Sequence, residues 1–149
     1  MRFLGIDYGT KRIGLALSDE KGKMAFAYKI IGNYGAEKVL AELKKICEEN
    51  SVGKIILGES LNYRGEPNPV MAEIEPFKKA MEKETGLPVE YEKEILTSAE
   101  ARRPLDGPRK RPPVLSGRKS PQKEKKLRRK IDAAAAALIL RRYLDRSVV

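Results

Sequence analysis

Apolar and polar residues alternate along residues 3–19 in two arms. In the first, Leu4 and Ile6 lead to Asp7, and Gly9 turns the chain. In the second, Ile13, Leu15 and Leu17 alternate with Gly14, Ala16 and Ser18. A period of two is the pattern of a strand with one packed face. The stretch predicts a hairpin with an acid at its rim. Gly22 turns the chain again, and residues 24–31 predict a third strand, antiparallel to the second, with Phe26, Tyr28 and Ile30 on one face. The period then lengthens: Val39, Leu40, Leu43, Ile46 and Cys47 recur at helical spacing. Residues 54–58 are too short for a helix and apolar at consecutive positions, as a parallel strand covered on both faces would be.

Beyond a Gly-, Asn- and Pro-rich loop at 60–69, Val70, Ile74, Phe77 and Met81 fall in phase as a second helix, closed by Gly86. Pro76 removes a backbone hydrogen bond and crowds the carbonyl of Ala72, which predicts a kink or a helix starting near Glu75. Residues 88–94 read as a fifth strand. Thr97-Ser98-Ala99-Glu100 has the spacing of a capping box opening a short helix that Pro104 stops. Residues 131–145 form the clearest helix, with Ala133 to Ala137 small enough for close approach to a sheet. Asp132 and Tyr143, about three turns apart, share a face with Ala136, Ile139 and Leu140. Three meandering strands followed by βαβ crossovers predict an α/β fold, a mixed five-stranded sheet with helices on both faces, in the order of the ribonuclease H-like fold.

Composition narrows the chemistry. The chain of 149 residues suits a single domain. No apolar run is long enough to span a membrane, and no leader precedes the first strand, so a soluble, cytoplasmic protein with no membrane partner is expected. Cys47 is the one cysteine and falls in the core register of the first helix. There is no histidine, which excludes imidazole bases, Ser-His and Cys-His nucleophiles and the usual zinc sites. Catalysis must rest on carboxylates, lysines or a bound metal.

The net charge of +10 is uneven. Between Pro104 and Lys130, Arg109, Lys110, Arg111, Arg118, Lys119, Lys123, Lys125, Lys126, Arg128, Arg129 and Lys130 face only Asp106 and Glu124. That segment also holds five of the nine prolines, so it reads as a mobile basic arm that seeks a polyanion, nucleic acid first of all, or as a solvated tether. Asp7, ending a strand among small residues, offers oxygen to a cation or is a plain turn aspartate. Asp132 heads an apolar stripe facing the sheet, or complements the helix dipole.

Four segments, GIDYGTKRIGLALSD, ILGESLNYRG, EILTSAEA and KIDAAAAALILRRYLD, resemble the YqgF-type (RuvX-type) Holliday junction resolvases, also described as pre-16S rRNA nucleases. The first and last fit closely. The middle two depart: Gly58-Glu59-Ser60-Leu61-Asn62 stands where Gly-Leu-Pro-Leu-Asn is usual, and Lys93-Glu94-Ile95-Leu96-Thr97-Ser98 where Asp-Glu-Arg-Leu-Thr-Thr is usual. By the resemblance, Asp7, Glu94 and Asp132 are the catalytic and metal-binding carboxylates of a Mg²⁺-dependent nuclease, with Mn²⁺ as a substitute. Such trios hold two ions about 3.5–4 Å apart around the scissile phosphate. Glu59, directly after the fourth strand, is a candidate fourth carboxylate beside Asp7. Lys11, Arg12 and Asn62 join the basic arm as expected nucleic-acid contacts. The implied substrate is structured RNA, in a precursor or a ribosomal particle, with maturation of the 5′ end of pre-16S rRNA as the role. The alternatives are resolution of branched DNA and a decayed nucleic-acid-binding module; a monomer or weak dimer is expected. The Asp-Tyr-Gly-Thr turn is also like that of sugar kinases, but those need two such domains to enclose a nucleotide.

Overall fold

The computed structural model describes residues 1–62, 64–95 and 121–147, excepting the side chains of Ile95, of residues 121–132 and of Ser147. Its elements are β1 (Arg2–Asp7), β2 (Arg12–Ser18), β3 (Ala25–Gly32), α1 (Ala36–Glu49), β4 (Val52–Leu61), α2 (Met71–Thr85), β5 (Val89–Ile95) and α3 (Pro121–Ser147). The strands form one sheet in the order β3-β2-β1-β4-β5. The β1–β2 and β2–β3 pairs are antiparallel, and the β1–β4 and β4–β5 pairs are parallel. Both the predicted mixed sheet and its helices on both faces are observed.

Alternation along the strands divides the core. Leu4, Ile6, Ile13, Leu15, Ile55 and Leu57 pack with α1 and α2 on one face. Ala16 and Ile56 pack with Ala136, Ile139, Leu140, Tyr143 and Leu144 of α3 on the other. This is why the β4 run is apolar at consecutive positions: Ile55, Ile56 and Leu57 are all fully buried, on alternate sides. Each such side chain stabilises the fold by about 1.5–3 kcal/mol relative to exposure.

Three expectations are corrected. Phe26 and Ile30 do not share a face. The register slips between Leu15 and Ala16, which pair with Lys29 and Ala27, so Tyr28 is an extra residue that reverses the alternation. Of the two outcomes expected from Pro76, the start near Glu75 is not observed: the second helix begins at Met71. Pro76 and Ala72 both lie on its exposed side, where water can replace the missing hydrogen bond. The last helix begins at Pro121, ten residues earlier than its apolar stripe indicates. Proline suits a first helical position, and the Gln, Lys, Glu, Leu and Arg that follow are strong helix formers. The capping box at 97–100, the stop at Pro104 and the basic residues from Arg109 to Lys119 lie outside the described residues, as do the side chains of Lys123 to Lys130.

Candidate active site

The alternation that buries Leu4 and Ile6 under α1 and α2 sends Phe3, Gly5 and Asp7 to the face covered by α3. At Gly5 the helix comes close: a Cβ there would stand 2.8 Å from Leu140 Cβ and 3.1 Å from the Ala136 carbonyl oxygen. Asp7 is the next residue on that face, at the end of β1, where the parallel strands β1, β4 and β5 all have their carboxyl ends. Open α/β sheets place their ligands at such ends.

Glu94 lies two strands away on β5, paired with Ser60 of β4. Its side chain shares the face of Asp7 and crosses β4 where that strand carries no side chain. Gly58 follows Leu57, which pairs with Ile6, and so stands beside Asp7. A Cβ on Gly58 would lie 3.0 Å from Glu94 Oε2 and 2.8 Å from Ile139 Cδ1. Through this gap Glu94 hydrogen-bonds to Asp7. Burial pushes the Glu94 carboxyl above the ordinary carboxylate range, while the hydrogen bond with Asp7 and the charge of Arg142 oppose the rise. Two carboxyl groups share a hydrogen bond only through a proton, and an oxygen-only pair of this kind is the donor set that a hard divalent cation takes in the proton's place. The residues present therefore fit such an ion.

The other two acids in the β5 row serve the frame. Glu90 pairs with Lys54, and Lys54 Nζ also donates to Tyr143 Oη at 2.8 Å. Arg146 Nη2 donates to Glu92 Oε1 at 2.5 Å. The Lys54 ammonium holds the Glu90 carboxyl below its usual range. These contacts clamp the carboxyl-terminal half of α3 to the strand that carries Glu94.

A family model described as "RuvX: Holliday junction resolvase" matches residues 1–146. The chain belongs to the RuvX family. It is similar to a protein of Syntrophomonas wolfei named "Putative pre-16S rRNA nuclease", 37% identical over 145 residues, covering 97% of this chain and 94% of that protein. A Clostridioides difficile protein of the same name is 38% identical over 144 residues, with 97% and 94% covered. Among solved structures, Thermus thermophilus RuvC in complex with a Holliday junction substrate aligns with TM-score 0.54 and 18% identity, over 100% of this chain and 98% of that one. That likeness places the fold among the ribonuclease H-like sheets.

Of the carboxylates expected in this RuvX-family chain, Asp7 and Glu94 are brought together. Asp132 lies on α3 one turn before Ala136, which packs over Gly5, but its side chain is outside the described ones. Glu59 is not brought to Asp7. It alternates with Gly58, pairs with Lys93 and falls on the α2 face, where its charge acts on Tyr91. Among the described residues no group of three or more His, Cys, Asp or Glu is placed to hold a metal ion. Lys11, exposed in the β1–β2 turn, and Arg12, opening β2, stand at the Asp7 end of the sheet.

Asn62 is occupied within its own loop. Its Oδ1 accepts the backbone N–H of Arg64 at 2.8 Å and of Glu66 at 3.0 Å, and its Nδ2 donates to Glu66 Oε1 at 3.0 Å. These bonds shape the loop that follows β4. Gly58 and Arg142 are the site residues that the sequence did not single out. A glycine after an apolar strand reads as a simple stop, and an arginine bordering an apolar helical stripe carries no signal. No described helix is long and apolar enough to cross a membrane.

Proposed function

We propose that this RuvX-family protein is a Mg²⁺-dependent nuclease acting in maturation of the 5′ end of pre-16S rRNA in the cytoplasm. The observation that carries this reading is the Asp7–Glu94 pair, two acids from strands β1 and β5 meeting over Gly58. Asp7, Glu94 and Asp132 are the residues that would hold the ion. When bound, Mg²⁺ lowers the pKa of its water and stabilises charge on the phosphoryl group and leaving oxygen. The chain's own part is positional. β1 fixes Asp7 at the sheet's carboxyl edge, and Gly58 leaves room for Glu94. Gly5 lets α3 lie close enough to bring Asp132 to the same edge. Asp7 and Glu94 are half-buried, which lessens the screening of their charges by water.

The names of the relatives favour a ribosomal RNA precursor, and the description of the family keeps a four-way DNA junction as the competing substrate. The test is cleavage of both by the wild-type protein and by Asp7→Asn. Asn replaces a negative ligand with a neutral one of the same shape, so the variant should fold normally and cleave at least about 100-fold more slowly. A folded, fully active Asp7→Asn protein would refute the site. Preferential cleavage of the junction would move the substrate from RNA to DNA and leave the site standing.

A further inference from the structure

The loop joining β3 to α1 carries an aromatic ring with no core to enter: Tyr34 is 78% exposed. The loop is fastened to the β1–β2 turn. Asn33 donates its backbone N–H to the Lys11 carbonyl and its Nδ2 to the Gly9 carbonyl, each at 2.9 Å. The Tyr34 ring lies over Gly32, where a Cβ would overlap Cζ and Cε2 and come 2.6 Å from Oη. One side of the ring is thus supported by backbone, and the other is open.

The register says which way that ring faces. Gly14 pairs with Asp7 and with Ile30, while Arg12 pairs with Gly32, so position 32 shares the face of Asp7. Tyr34 and Asp7 are therefore at one end and on one face of the sheet, two strands apart. Two strand spacings and two residues of rise put them about 10–12 Å from each other. Exposed Lys11 lies in the turn between them.

A flat ring backed by the chain at Gly32 and exposed on its other side, with Lys11 in the adjoining turn, offers what an unpaired nucleobase takes. Base–aromatic stacking is tolerant of sequence and contributes about 1–3 kcal/mol per base. We propose that Tyr34 stacks one unpaired base of the nucleic acid and so sets where a single-stranded segment lies relative to Asp7. The inference rests on the nuclease reading above and adds a binding residue to it.

The experiment measures binding in EDTA, without turnover, of an RNA duplex with a single-stranded extension carrying 2-aminopurine, alongside the blunt duplex. Wild type should quench the fluorophore. Tyr34→Phe should keep affinity within about twofold. Tyr34→Leu, which retains bulk over Gly32, should weaken binding of the extended RNA about tenfold and lose the quenching. Its dependence on salt should stay unchanged, because no phosphate contact is removed. Absence of quenching by wild type, wild-type affinity in Tyr34→Leu, or an equal loss on the blunt duplex overturns the proposal; the last two are what a protein-docking residue or a loop strut would give. Wild type that stacks but does not cleave refutes the nuclease reading alone. Wild type that cleaves, with Tyr34→Leu unaffected in binding, refutes the stacking alone.

Discussion

Glu94 shows how one residue can be costly to the fold and useful to the site. Its carboxyl is pushed up from 4.5, so between that value and its raised one the folded protein holds a proton that the unfolded chain has released. Stability contributed by this group must then fall as pH rises through that window, the opposite of a salt-bridged acid. Glu94→Gln keeps the hydrogen-bonding shape without the charge. In EDTA the variant should have a higher urea midpoint than wild type near neutral pH, and the two should converge below about pH 4.5. Adding Mg²⁺ should raise the wild-type midpoint and leave that of Glu94→Gln nearly unmoved, since only an ionised pair gains from the cation. If the pH curves of the two proteins run parallel, Glu94 is not the buried acid described here.

Among elements, β4 decides whether the two acids can meet, and it does so with an absent side chain. Gly58→Ala places a methyl 3.0 Å from Glu94 Oε2 and 2.8 Å from Ile139 Cδ1. The isoleucine tip can move aside, so the stability cost should be about 1–2 kcal/mol. The carboxylate must give way towards solvent, so cleavage should drop by at least about tenfold, more than the loss of folded protein at 25 °C explains. Thermal melts and initial rates on the same samples separate the two effects. The hairpin, the Asp7 rim and the apolar stripe of α3 were legible because each rests on local periodicity, and the family motifs led to Glu94. Gly58, the face of Glu59 and the slip at Tyr28 were not, because each depends on how one strand registers against another. The start of α3 was hidden for a different reason: charge in residues 121–130 masks helix propensity when basic runs are read as solvated chain.

At the scale of the molecule, the carboxyl ends of β1, β4 and β5, the β1–β2 turn and the loop that holds Tyr34 share one end of the sheet, while the charge sits elsewhere in the sequence. The eleven Lys and Arg residues between Arg109 and Lys130, against two acids between Pro104 and Lys130, carry +9 of the chain's +10, so attraction to a polyanion must depend on them. Such attraction leaves a signature. Each phosphate neutralised on a duplex adds about 0.9 to the slope of log affinity against log salt. Replacing the eleven with Gln keeps helix propensity across residues 121–130 and removes the charge. If four to six of them contact phosphates, the slope should flatten by about 4–5, with affinity falling alike for RNA and for a four-way DNA junction, because phosphate contacts carry no sequence information. Quenching of 2-aminopurine at saturating protein should persist, since stacking on Tyr34 is a separate contact. A salt titration of the intact and substituted proteins decides the matter, and an unchanged slope would mean that the segment is a tether whose charge only keeps it solvated.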